Sequence, residues 1–280
     1  EDFVSEMVRV GNIAPALSVE GLEEETDNRR GKGVYKKIMH AMDLMREAGC
    51  IFGFSACYAR NNVDVIASDE FIDTMVDKGC TFGWFFTYVP VGSEPNLDLM
   101  ATPEQRAKMY DAVRSFRNTK PIFLVDFWND GEFSLGCIAG GRRYLHINAA
   151  GDVEPCAFIH YATDNINDVS LKQALASPLM RAYQKRQPFN ENMLRPCPLI
   201  DNPEKLVEII QESGARSTQL GEHAVEPEVL ADKIQKEYTQ HWAARADELW
   251  QSNPHPFHDR ACEFAKKEEA ERRERQASRV

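Results

Sequence analysis

Apolar positions along this chain switch repeatedly between two periods. Ile13 to Val19 forms a short apolar run that predicts a strand, and Val34, Ile38, Ala41, Met42 and Met45 then recur at helical spacing. Cys50 to Tyr58 predicts a second strand. Ser68 stands where a helix cap belongs, ahead of Phe71, Ile72, Met75 and Val76. Thr81 to Val89 predicts a third strand. Thr102-Pro103-Glu104-Gln105 is a capping box with proline at the first helical position, opening a helix to about Asn118. Pro121 to Asp126 predicts a fourth strand. Repeated strand–helix–strand order predicts an α/β fold with a parallel sheet buried on both faces.

Four parallel strands are too few to close a barrel. The expectation is therefore a partial parallel (β/α) barrel whose first strands precede Glu1, with the strand at Ile13 to Val19 left as an open edge. Such an edge would make the chain prone to aggregate.

The pattern changes after residue 126. Tyr144 to Asn148, a turn at Ala150-Gly151-Asp152, and a return arm from Val153 predict a β-hairpin. A helix is expected from about Ser170 to Arg186, then a proline-rich coil, then a short helix over 203–213 ending at Gly214. Leu230, Ile234, Tyr238, Trp242, Ala246 and Leu249 make one stripe of an amphipathic helix over 227–251, and 259–280 is a charge-dense helix or tail. This reading divides the chain into a sheet region (1–126), a hairpin module (127–200) and a helical tail (201–280).

Composition narrows the class. With 280 residues, 43% hydrophobic, 28% charged and a net charge of −11, the chain fits one large domain or a domain plus a smaller module. The acidic balance argues against a general nucleic-acid binder. No apolar run is long enough for a membrane span, and no signal peptide opens the sequence. Seven unevenly spaced cysteines fit a reduced cytoplasm better than a disulfide framework.

Three of those cysteines stand apart. Cys137 follows Gly136, Cys156 follows Gly151 and Pro155, and Cys197 lies between Pro196 and Pro198. Turns can aim thiolates at a soft metal or an iron–sulfur cluster. Cys50, Cys57 and Cys80 lie on or beside strands and read as packing residues, and Cys262 as incidental. Zinc is the competing reading, with His146 or His160 as a fourth ligand. The grouping of His255, His258 and Cys262 reads as chance.

The carboxyl ends of the strands carry a second polar set. Ser18 and Glu20 follow the first strand, Arg29 and Arg30 the next loop, Arg60, Asn61 and Asn62 the second strand, and Tyr88 the third. Ligands of parallel sheets bind at such ends, and arginine suits a carboxylate there. The plainer reading is that Arg30 pairs with an acid nearby, such as Glu23, Glu24 or Asp27.

The order SVEG, TDNRRGKGVYKKIMHAMDLMREAG, YARNN and FTYVPVG resembles the second half of the barrel in radical S-adenosylmethionine (radical SAM) enzymes. CIAGGRRYLHINAAGDVEPC, DNINDVSLKQAL and RPCPL resemble the SPASM or twitch-type extension of that family. The resemblance covers roughly residues 10–200. It implies S-adenosyl-L-methionine as cofactor, with Ser18 and Arg30 at its methionine end and Asn62 at the barrel mouth. It implies that Cys137, Cys156 and Cys197 hold one auxiliary [4Fe–4S] cluster. The family's C-x-x-x-C-x-x-C loop for the catalytic [4Fe–4S] cluster is absent from this sequence, so the chain alone is expected to be inactive. The implied reaction is hydrogen abstraction by a 5′-deoxyadenosyl radical, fed by a low-potential donor such as flavodoxin or ferredoxin. The alternative is a non-catalytic zinc or iron–sulfur interaction module. The substrate is not legible.

Overall fold

The computed structural model describes residues 2–92, 95–219 and 227–252, and 259–270 apart from 261, 265, 268 and 269. Two compact units are present: residues 1–88 with 98–127, and residues 89–97 with 128–280.

The first unit opens with α1 (Asp2–Val10), which the sequence reading had not assigned. Then follow β1 (Ala16–Ser18), α2 (Glu23–Arg30), α3 (Val34–Glu47) and β2 (Gly53–Tyr58). After them come α4 (Val63–Ile66), α5 (Asp69–Asp77), β3 (Phe82–Thr87), α6 (Pro103–Thr119) and β4 (Phe123–Asp126). The four strands pair in sequence order and are parallel throughout, with β1 at one edge and β4 at the other. The partial α/β sheet inferred from the periodicity is therefore present.

Alternation along the strands decides which face is covered. Phe54, Ala56, Tyr58, Phe85 and Leu124 enter a core with Met39, Met42, Met45, Phe71, Ile72, Met75, Met109, Val113 and Phe116 from the helices. The other face departs from the expectation of a doubly buried sheet. Its register rows are Ser18–Ser55–Trp84–Val125 and Cys57–Phe86, small or polar on β1 and β2 and aromatic on β3, with Phe127 just past the end of β4. Trp84 is 38% exposed, and Phe86 and Phe127 stack with centroids 4.7 Å apart.

Caps set several helix starts. Ser68 Oγ accepts from Phe71 N at 3.2 Å. Thr102 Oγ1 accepts from Gln105 N at 3.2 Å, and Gln105 Oε1 accepts from Thr102 N at 3.0 Å, completing the expected capping box. Thr102→Ala should cost about 1 kcal/mol, measurable as a lower urea midpoint.

Arg29 and Arg30, expected in a loop, end a helix instead. The eight residues of α2 carry no apolar stripe, so periodicity is silent; local hydrogen bonds build the turn. Thr26 Oγ1 accepts from Glu20 N at 3.0 Å, and Glu25 Oε2 from Leu22 N at 3.1 Å.

The second unit holds α7 (Gly131–Ser134), β5 (His146–Ile147), β6 (Val153–Glu154), β7 (Tyr161–Ala162), α8 (Leu171–Ala174) and α9 (Pro178–Gln184). It continues with α10 (Pro203–Ser213), β8 (Arg216–Ser217), α11 (Pro227–Ile234), a π-helical turn (Gln235–Thr239) and α12 (Gln240–Ser252). The hairpin forms as expected, with β5 antiparallel to β6. The single helix expected from Ser170 to Arg186 is two, because Ser177 caps a fresh start with Pro178 at its first position. Gly214 closes α10 at φ +65°. The stripe over 227–251 buries Ile234, Tyr238, Trp242, Ala246 and Leu249. Among the described residues, no helix is long and apolar enough to cross a membrane.

Candidate cluster site and sheet-end site

Backbone geometry delivers each of the three cysteines to its place. After α7 the chain turns through two left-handed residues, Leu135 at φ +58° and Gly136 at φ +88°, and reaches Cys137. Arg142 braces that turn, its Nη1 donating to Leu135 O at 3.0 Å and to Cys137 O at 2.8 Å. Gln187 Nε2 adds bonds to Cys137 O and Ala139 O at 2.9 and 3.0 Å.

Cys156 lies just beyond β6, at the end of the hairpin. The hairpin turn needs Gly151: its φ is +89°, and a Cβ there would stand 2.5 Å from Asn167 Nδ2.

Cys197 begins a tight turn in which Asp201 N and Asn202 N both donate to its carbonyl at 3.1 Å. Asp201 Oδ2 accepts from Cys197 N at 3.0 Å, and Leu199 N donates to Cys197 Sγ at 3.4 Å.

These thiols share one electrostatic neighbourhood. Desolvation raises all three: Cys137 and Cys197 above the usual thiol value and Cys156 to about 12. Charge on Cys137 adds to the upward push on Cys156 and Cys197. The buried phenol of Tyr183 feels all three sulfurs, and its hydroxyl lies 3.2 Å from Cys137 Sγ. All seven cysteines are free.

Among the described residues, no three His, Cys, Asp or Glu side chains are grouped to hold a single metal ion. His146 and His160, the candidate fourth zinc ligands, turn to a carboxylate instead. His146 Nδ1 lies 2.8 Å from Glu154 Oε2, and His160 Nδ1 lies 3.7 Å from it. Three soft thiol donors drawn from three turns, each desolvated and with Cys156 and Cys197 both feeling charge on Cys137, suit an iron–sulfur cluster in their chemistry. Cys80 is a buried core residue held neutral, its thiol raised to about 12 by desolvation. Cys57 lies half-buried on β2. His255 and His258 lie outside the described residues.

At the sheet end the organising residue is Glu20, which is fully buried. It accepts from Arg30 Nε at 2.9 Å and Nη2, from Arg29 Nη1 at 3.4 Å, and from Cys57 N at 3.1 Å. The partner of Arg30 is thus Glu20, while Asp27 accepts from Gly33 N and Tyr35 N at the start of α3. Asn62 is buried and spends its amide on the same corner: Nδ2 donates to Glu20 O at 3.0 Å and Cys57 O at 3.1 Å. Its Oδ1 accepts from Ala59 N at 2.6 Å. Ser18 ends β1, half-buried, two residues before Glu20.

Arg30 and Asn62 therefore meet at Glu20, the first on its carboxylate and the second on its backbone carbonyl, while Ser18 stands at the end of β1. Arg30 keeps 34% of its side chain exposed, enough to present N–H groups to a second carboxylate. Sequence reasoning noted Glu20 only as a polar strand end; SVEG marks its place but not its partners. Tyr183 was missed altogether, since nothing in its spacing connects a tyrosine of α9 to the cysteines.

Residues 137–198 match the SPASM family model, described as an iron–sulfur cluster-binding domain. No curated protein matches the sequence. Among solved structures, the chain is similar to native anSMEcpe with bound AdoMet, at a TM-score of 0.50 and 13% identity, covering 90% of this chain and 72% of that one. It is also similar to SuiB from Streptococcus suis, at a TM-score of 0.49 and 13% identity, covering 62% and 46%. At 13% identity the likeness to anSMEcpe is one of fold.

Proposed function

We infer that this chain, whose sequence resemblance to radical SAM enzymes with a SPASM extension agrees with both the family match and the fold, serves hydrogen abstraction by a 5′-deoxyadenosyl radical. The observation that carries the reading is that the segment matched by the iron–sulfur domain model contains Cys137, Cys156 and Cys197, with the Tyr183 hydroxyl 3.2 Å from Cys137 Sγ. These three residues would hold one auxiliary [4Fe–4S] cluster.

The chemistry supplied by bound S-adenosylmethionine is radical formation on one-electron reduction, with methionine released and a substrate hydrogen atom taken. The chain's own residues do the positioning. Glu20 anchors Arg30 and Arg29, so that the exposed part of Arg30 can face the cofactor carboxylate in a fixed orientation. Asn62 ties the β2 corner to Glu20 and keeps that loop closed. Ser18 would offer a hydroxyl from the row of the sheet that carries Ser55 and Trp84. A low-potential donor such as flavodoxin or ferredoxin would supply the electron.

Anaerobic reconstitution of the 280-residue chain tests the reading. Iron and sulfide should bind in a ratio near one, with about four irons per chain for a cubane. Cys137→Ser, Cys156→Ser and Cys197→Ser should each remove most of that iron. Zinc bound without sulfide, or iron retained in all three variants, would reject it.

A further inference from the structure

Ser177 Oγ accepts from Met180 N at 3.1 Å and fixes where α9 begins. Tyr183 then falls on the inner side of the helix with its side chain fully buried. Its ring is clamped. Phe189 meets it edge-on, centroids 4.9 Å apart at 86°. Gly140 lies against it at φ +67°, and a Cβ at that position would stand 2.1 Å from Tyr183 Cδ1. Gly140 is itself pinned, its N donating to Pro155 O at 2.9 Å and its O accepting from Gln184 Nε2 at 2.7 Å. A ring packed this way has little room to turn aside, so its hydroxyl is held 3.2 Å from Cys137 Sγ.

A buried phenol needs a partner, and a metal-bound thiolate can only accept. We propose that Tyr183 is a positioning residue that donates its O–H to the Cys137 sulfur and thereby raises the reduction potential of a cluster held by Cys137, Cys156 and Cys197. The proposal rests on the cluster reading above. An added electron increases negative charge on the cluster sulfurs, so a fixed donor stabilises the reduced form more than the oxidised one. The clamp matters because a mobile hydroxyl would lose part of that preference. Nothing in the cysteine spacing requires this donor; it follows from the glycine at position 140 and the capped start of α9.

The test is a potentiometric titration of the reconstituted chain, followed by electron paramagnetic resonance, in wild type and Tyr183→Phe. Phenylalanine keeps the ring and its packing and removes only the hydroxyl. Iron and sulfide content should be unchanged. The midpoint should move to more negative potential, with about a tenfold fall in the reduced-to-oxidised ratio at the wild-type midpoint, or about 59 mV for a one-electron couple. Electron–nuclear double resonance of the reduced cluster should show an exchangeable proton in wild type that Tyr183→Phe lacks. A loaded variant with an unmoved midpoint overturns the proposal. So does a Tyr183→Phe chain that cannot retain the cluster, because the phenol would then support assembly and not potential. A wild-type chain that takes up no cluster overturns the cluster reading itself, and this proposal with it.

Discussion

Glu20→Gln is expected to destabilise the first unit by about 3 kcal/mol, read from the shift in urea midpoint at constant slope. The substitution is nearly isosteric, so no cavity opens. What changes is the hydrogen-bond sense. Two guanidiniums and the Cys57 amide all point donors at this carboxylate. Glutamine would turn an NH2 group toward one of them and remove the negative charge at the centre of the corner formed by Arg29, Arg30 and Cys57 N. Breaking a buried pair costs about 3–5 kcal/mol. The lower end applies because the arginine side chains stay 43% and 34% exposed and can recover water. By contrast Arg29→Gln, at the exposed side of the same network, should cost under about 1 kcal/mol. Equal effects of the two substitutions would show that Glu20 is not the hub.

Glu154→Gln should have a comparable effect in the second unit, with a pH signature of its own. Glu154 is fully buried on β6, the return arm of the hairpin. Desolvation pushes its carboxyl up, but His160, Thr218, His146 and Asn148 together outweigh that and bring it from 4.5 to about 2. The folded value lies below the unfolded one. The stabilisation is therefore fully present above about pH 4.5 and is lost as pH falls through about 2. A shift of that size corresponds to about 3 kcal/mol at neutral pH. The glutamine variant should be weaker at pH 7 and should lose less on going to pH 3. Parallel stability–pH curves for the two proteins would remove Glu154 from the account.

Much of the architecture could be read where side-chain pattern alone decides structure. The Thr102 box, the Ser68 cap, the left-handed Gly214 and the stripe through Trp242 each follow from short-range rules, and each is present. Reading failed where tertiary contacts decide. In α2, EEETDNRR carries no apolar period; its helix exists because Thr26 and Glu25 satisfy strand-end amides and its arginines close on Glu20. The open sheet face could not be foreseen from FGWFFT, because large aromatics fit a covered strand as well as an open one. The break before α9 is legible in Ser177-Pro178, a cap followed by proline at the first helical position. The cysteines stood out by their turns, while the tyrosine between them could not, since its place depends on Gly140, some forty residues earlier in the chain.

The second unit is built on slight secondary structure: strands β5, β6, β7 and β8 are two residues each. The three thiols proposed as cluster ligands nevertheless come from positions 137, 156 and 197. A rigid inorganic body joined to all three would act as a covalent staple across two loops, 137–156 and 156–197. Closing loops of that length removes unfolded-chain entropy worth about 3–4 kcal/mol each in the polymer picture of cross-links. Cofactor loading is then also a topological event, one that makes the unfolded state of this unit harder to reach.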